Sequence, residues 1–285
     1  MMTERAGLDD RLQRVDSRQN ARVKQLRRAF SEAAPNARGE IAIEGMHLVE
    51  EAIRSGLRLS TVFFSESARQ RAHKLLPQLS AYSEALLLPD NVFSSAVPSE
   101  TPQGVAALVR VKSFALEDTL SAEPVLLVIA AGLQDAGNLG TMARSGEAFG
   151  ITGLLVGERT VSPWNWKAVR ASAGSLFRLP VARVELAEAV QQVRGRGIRV
   201  LATSSRKGTA VWNANLRGPL AIVIGSEGAG VPRETLAQAD EVVAIPQSAR
   251  VESLNAGIAA SIVLYEAARQ RNAPPGKDRE PEGPR

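Results

Sequence analysis

From residue 124 onward the chain alternates short, nearly continuous apolar runs (PVLLVIAAG, GLLVG, IRVLATS, LAIVIG, EVVAIP) with helical or loop segments. Strands that are apolar at every position are buried on both faces, and a parallel sheet covered by helices on each side does this. The pattern predicts an α/β fold with a parallel sheet over residues 124–270. Residues 41–109 alternate more weakly, through IAIEG, MHLVEEAIRSG, LSTVFFS and a polar helix near 67–80, and predict a smaller α/β unit. Between them VKSFALEDTLSAEP breaks the apolar rhythm, so a linker is expected at 111–123.

The last helix, about 252–270, carries Leu254, Ile258, Ile262 and Tyr265 at helical spacing, which predicts one apolar face packed on the sheet or on a partner. The tail 271–285, rich in Pro, Gly and charge, is expected to be disordered.

The chain has no cysteine, which excludes disulfides, thiolate metal sites and thiol nucleophiles, and no metal is expected. No apolar run approaches the roughly 20 residues needed to cross a bilayer, and MMTERAGLDD lacks a signal peptide's apolar stretch. A cytoplasmic protein without a membrane partner is expected. A net charge of +5 and a pI near 9.9 favour a polyanionic partner without demanding one.

Three segments could carry chemistry. QDAGNLGTMAR (134–144) follows a strand and opens a helix, where Asn138 could cap and Arg144 could reach back over the mouth. LAIVIGSEGAGVP (220–232) runs a strand into a loop with Gly225, Gly228 and Gly230, where backbone can approach a ligand closely. Glu227 inside that loop is a poor companion for a phosphate and suits a cation such as a sulfonium, or an arginine. IPQSARVESLNAGIAASIVLYEAAR (245–269) places Ser253 and Asn255 at a helix start. Each segment alone reads equally as a turn or a helix cap. Together they stand at carboxyl ends of parallel strands, so all three can meet at one sheet edge.

In order and spacing these three motifs resemble the SpoU (TrmH) family of RNA 2'-O-ribose methyltransferases, within the SPOUT superfamily. KAVRASAGSLFRLPV (167–181) is also similar to family sequence, and SRQNARVKQL through IAIEG to TPQGVAALV resembles a ribosomal-protein-like substrate-binding domain. The resemblance implies an RNA-binding domain over 14–110 and a methyltransferase domain over 124–270 with a deep trefoil knot. It implies S-adenosylmethionine as cofactor, with Gly225, Ile245 and Leu254 against it and backbone groups reading its adenine. Asn138, Arg144, Glu227, Ser253 and Asn255 would form the reactive region, and the protein would be a homodimer. Four positions depart from the family pattern: Ala136 replaces a common Pro, Gln247 a common Met, and Ala256-Gly257 a common Val-Ser.

Methyl transfer to a ribose hydroxyl is an in-line attack on carbon, so positioning supplies much of the catalysis. No general base is evident: His47 and His73 both lie in the N-terminal half and are assigned no role. Arg144 reads first as an electrostatic stabiliser of phosphate and developing alkoxide, because a guanidinium stays protonated at neutral pH; a deprotonated Arg144 is the second reading.

Residues 11–28 hold seven basic residues and one acid. Arg11, Arg14, Arg18 and Arg22 fall at helical spacing and, with Lys24, predict a basic stripe for RNA phosphates. Trp164, Trp166, Lys167 and Arg170 could stack bases or simply pack. Ribosomal RNA is the expected partner, with transfer RNA as runner-up. A non-catalytic RNA-binding protein on the same scaffold stays open. A dinucleotide oxidoreductase is disfavoured because neither glycine loop has the G-x-G-x-x-G spacing.

Overall fold

The computed structural model describes residues 11–248 and 252–272. In the N-terminal part the elements run β1 (Leu12–Arg14), α1 (Ala21–Ser31), β2 (Glu40–Glu44), α2 (Met46–Arg54), β3 (Arg58–Ser65), α3 (Arg69–Leu75), β4 (Glu84–Leu88), α4 (Asp90–Ser94) and β5 (Val105–Arg110). The strands form one sheet in the order β1-β4-β3-β5-β2, with β5 antiparallel to both neighbours.

The chain continues through α5 (Leu116–Thr119), β6 (Leu126–Ala131), α6 (Ala136–Ala148), β7 (Gly153–Gly157), α7 (Trp166–Ser172), β8 (Val181–Val184), α8 (Leu186–Gly195) and β9 (Arg199–Ser204). It ends with β10 (Thr209–Ala210), β11 (Leu220–Gly225), α9 (Arg233–Gln238), β12 (Glu241–Ala244) and α10 (Ala256–Asn272). These seven strands are all parallel, in the order β10-β12-β9-β11-β6-β7-β8. Winding reverses between β6 and β11, which puts the switch point where open α/β sheets bind ligands.

The apolar runs dictate the layers. In β6, Leu126, Val128 and Ala130 face α6 residues Leu139, Met142 and Ala143, while Leu127, Ile129 and Ala131 face α8 residues Ala189, Val190 and Val193. Every residue of β6 is buried. Removing one such side chain, as in Ile129→Ala, would cost about 2–5 kcal/mol. Segment 111–123 is no free tether: α5 buries Leu116 and Thr119, and Thr119 fills the space beside Gly153 in β7.

One expectation about helices is corrected and another is narrowed. Residues 11–22 do not form one helix, so Arg11, Arg14, Arg18 and Arg22 make no single stripe. Arg14 ends β1, Arg18 sits in a turn, and α1 begins only after Asn20, whose side chain accepts from Arg22 N at 2.8 Å. Moreover, Arg11 donates to the Leu76 and Ser80 carbonyls, Arg14 pairs with Asp16 and Glu66, and Arg22 pairs with Glu84. Arg18 and Lys24 are exposed.

In α10 the buried face is Ala256, Gly257, Ala260, Val263, Leu264 and Ala267, whereas Ile258 and Tyr265 are 51% and 58% exposed. Small residues win the inner face because α6 approaches closely: a Cβ on Gly257 would lie 3.1 Å from Thr141, and Ser145 and Ser261 share a hydrogen bond of 2.6 Å. The helix also takes in Arg271 and Asn272; the rest of the expected tail lies outside the described residues.

Candidate functional site

The carboxyl ends of β9, β11 and β12 and the start of α10 form a cleft of about 290 Å³. Gly225, Glu227, Ile245, Ser253 and Leu254 line it, as the motifs led one to expect of residues at strand ends. Thr203, Ser204, Ser205 and Gln247 line it too and were missed. The only sequence signal for the first three was their place at the end of a buried strand.

Its shape comes from the glycine loop. Ser226 and Gly230 form an isolated bridge, with Gly230 N donating to Ser226 O at 2.9 Å, and Gly230 has φ +68°. This tight turn folds back so closely that a Cβ on Gly225 would lie 2.1 Å from the Gly230 carbonyl carbon. Backbone thus forms the cleft wall where a side chain would fill it.

At the mouth, Asn138 joins two distant loops. It donates from Nδ2 to Glu227 Oε1, and its Oδ1 accepts from Asn255 Nδ2 at 2.7 Å. Asn255 Oδ1 in turn accepts from Ile258 N at 3.1 Å, so Asn255 caps α10 while gripping α6. Asn138 itself is not the cap of α6. That role falls to Asp135, whose carboxylate accepts from Asn138 N at 2.7 Å, which frees the Asn138 side chain to bridge.

Arg144 is also placed differently from expectation. It is the ninth residue of α6, exposed, and not part of the cleft lining. Two turns of helix separate it from the mouth, and its side chain bonds no other described residue, leaving it open to solvent or to a macromolecule. Trp164 packs against the main core, and Trp166 lies half-buried between the two halves of the chain.

The charge in the cleft is informative. Among the described lining residues Glu227 is the one acidic or basic side chain, which suits a cation better than a phosphate. Gln247 Oε1 is buried there with no hydrogen-bond partner among the described residues, an acceptor free for an N–H or O–H donor. A neutral hydrogen-bond donor joined to a positive centre would match both features. No group of three or more potential metal ligands occurs among the described residues.

A charged clamp joins the two halves. Arg178 donates to both Glu147 oxygens at 2.5 and 2.8 Å, and to Glu51 of α2 at 2.6 Å. The hydrogen bond from Arg178 holds the Glu147 carboxylate below its ordinary pKa. Burial works against ionisation of Glu51, but Arg178 and Arg54 together hold it low as well.

Residues 125–265 match the SpoU rRNA Methylase family and residues 20–107 match the MRM3-like substrate binding domain. A 23S rRNA (guanosine(2553)-2'-O)-methyltransferase of Bacillus subtilis is 30% identical over 254 residues, 89% of this chain and 98% of that one. The chain belongs to the SpoU family. Among solved structures, an rRNA methyltransferase from Sinorhizobium meliloti aligns with TM-score 0.79 at 28% identity, covering 91% of this chain and 98% of that one. The SpoU methyltransferase AviRb from Streptomyces viridochromogenes, in complex with AdoMet, aligns with TM-score 0.78 at 28% identity, covering 88% and 98%.

Proposed function

We propose that the chain transfers a methyl group from S-adenosylmethionine to a ribose 2'-hydroxyl of RNA, with ribosomal RNA as substrate. The observation that carries this reading is the cleft at the carboxyl ends of β9, β11 and β12, whose described lining holds one carboxylate, an unpartnered acceptor and a backbone wall. When bound there, the cofactor supplies a methyl group on a positive sulfur.

Gly225, Ile245 and Leu254 would hold that ligand, with backbone groups reading its adenine, and Gln247 Oε1 would accept one of its donors. Glu227 would lie against the positive centre, kept in place by Asn138. Asn138, Asn255 and Ser253 would fix the loops that present the ribose. Arg144, which stays cationic at neutral pH, would hold RNA phosphate and stabilise the developing alkoxide.

The chain is proposed to act as a homodimer. Support comes from the outer face of α10, where Ile258 and Tyr265 are exposed and Tyr265 packs edge-on against Phe149 at 5.8 Å. A second protomer on that face would complete the site and give Arg144 a route to an acceptor. We also propose that the segment after β11 threads as a deep trefoil knot; its support is the insertion of β12 between β9 and β10 rather than at the sheet's edge. No described helix is long and apolar enough to cross a membrane, and action on ribosomal RNA would place the protein in the cytoplasm.

The test is calorimetric titration with S-adenosylmethionine, followed by transfer of labelled methyl to total RNA by the wild type and by Arg144→Ala. Binding and transfer, with transfer lost in the variant and binding kept, are expected. Binding without transfer to any RNA would sink the catalytic reading.

A further inference from the structure

The seam between the two halves holds an aromatic site that the cleft does not use. A groove of about 400 Å³ opens there, walled by Phe30, Val97 and Pro98 from the N-terminal part and by Trp166 from α7. Trp166 is half-buried, packed on its inner side against the Phe30 cluster, and its remaining surface lines the groove.

Cations surround it. Lys167 Nζ lies 5.7 Å from the Trp166 ring centre. Arg27 lines the groove with its guanidinium fixed by bonds to Ser95 O at 2.9 Å and Ser95 Oγ at 3.2 Å. Arg170, one helical turn beyond Trp166, is exposed and borders the cavity on the ring's other side. The groove's one carboxylate, Glu32, is already paired with Arg28 at 2.6 Å.

This site connects to the reactive region through α6. Gly140 of α6 presses against α7, where its Cβ would lie 2.3 Å from Ala168 O and 2.7 Å from Ala171 Cβ. Arg144 stands one turn beyond Gly140, and Arg170 lies within the α7 turn that Gly140 touches. Arg144 and Arg170 thus lie on the two helices that meet at Gly140, and both are exposed, as is Lys167 beside Trp166.

We infer that Trp166 is a stacking platform for an unpaired base of the substrate RNA, near the methylated nucleotide, with Lys167, Arg170 and Arg27 holding the flanking phosphates. This rests on the RNA-methylating reading above. Unpaired bases stack on aromatic side chains with little sequence preference, and cations beside the ring follow the backbone. A stacked base outweighs an exposed cation–π contact, so Lys167 gives up the ring and turns to the base's own phosphate.

The test uses the full chain, with ribosomal RNA as methyl acceptor and octa-adenylate as binding probe. Trp166→Leu keeps an apolar side chain without a π face; it is expected to raise the KM for RNA and the Kd for octa-adenylate about tenfold, with kcat and S-adenosylmethionine affinity within twofold. Trp166→Phe should recover most of the loss, which a purely space-filling role would not require. Lys167→Ala with Arg170→Gln should flatten the salt dependence of octa-adenylate binding by about two, and ultraviolet cross-linking of the wild type should mark the peptide holding Trp166.

Wild-type KM and Kd in Trp166→Leu would overturn the inference. Should that variant fail to fold, the cation pair and the cross-link decide: an unchanged salt slope with cross-links elsewhere would overturn it. A wild type that binds octa-adenylate at Trp166 yet methylates no RNA would instead defeat the proposed reaction.

Discussion

Replacing Gly225 by alanine tests whether the glycine loop builds the cleft. The added methyl would lie 2.1 Å from the Gly230 carbonyl carbon and 2.2 Å from Val231 N, both backbone atoms. Carbon contacts settle near 3.5–4.0 Å, so the loop must open by roughly 1.4 Å or more. Gly225 itself has no positive φ, so the conflict is steric and not conformational. Overpacking of this kind costs about 1–3 kcal/mol, a fall in Tm of roughly 2–10 °C at this chain length. A displacement of about 1 Å in a positioned site costs about 100-fold, and the moved backbone is the cleft's own wall. Calorimetry should therefore show S-adenosylmethionine binding weakened about 100-fold while circular dichroism shows a folded protein. Binding within twofold of wild type at an unchanged Tm would refute the reasoning.

Asn138→Ala removes the bridge between Glu227 and Asn255; kcat/KM for methyl transfer is expected to fall about 10–100-fold with a smaller loss of cofactor affinity, measured by single-turnover kinetics and calorimetry. Asn255→Ala also deletes the cap of α10, which should cost about 1 kcal/mol more in urea unfolding than a matched surface substitution. The Arg178 clamp makes stability pH-dependent. Because the folded-state pKa values of Glu147 and Glu51 lie below their ordinary 4.5, their contribution is fully present above that pH and is lost as pH falls through the depressed values. Arg178→Ala should flatten that acid limb and lower stability by about 1 kcal/mol, a modest figure because the clamp is partly solvated.

The architecture of the C-terminal sheet was legible because its strands are apolar at every position, a pattern with one common structural solution. The meeting of three motifs was legible for the same reason, since carboxyl ends of parallel strands share one edge. What joins them was not. Asn138 contacts residues 89 and 117 positions away, and nothing local distinguishes a bridging asparagine from a capping one when Asp135 stands three residues before it. The basic stripe failed because spacing was read across a strand and a turn, although Asp16-Ser17 and Asn20 are turn and cap residues that marked the true helix start. Of the two surfaces the apolar face of α10 was expected to meet, the sheet is excluded for Ile258 and Tyr265, because small residues take the inner side. Where two helices approach this closely, glycine and alanine are the buried ones. The departure at Gln247 was visible in the sequence, but its unpartnered oxygen in the cleft required the fold.

The most direct measurement is nucleoside mass spectrometry of ribosomal RNA from a strain lacking this gene, incubated with the purified protein and labelled S-adenosylmethionine. The account predicts one labelled nucleoside, methylated on the ribose 2'-oxygen and absent when Arg144 is replaced by alanine. Label on a base, or no label in any RNA fraction despite cofactor binding, would contradict it.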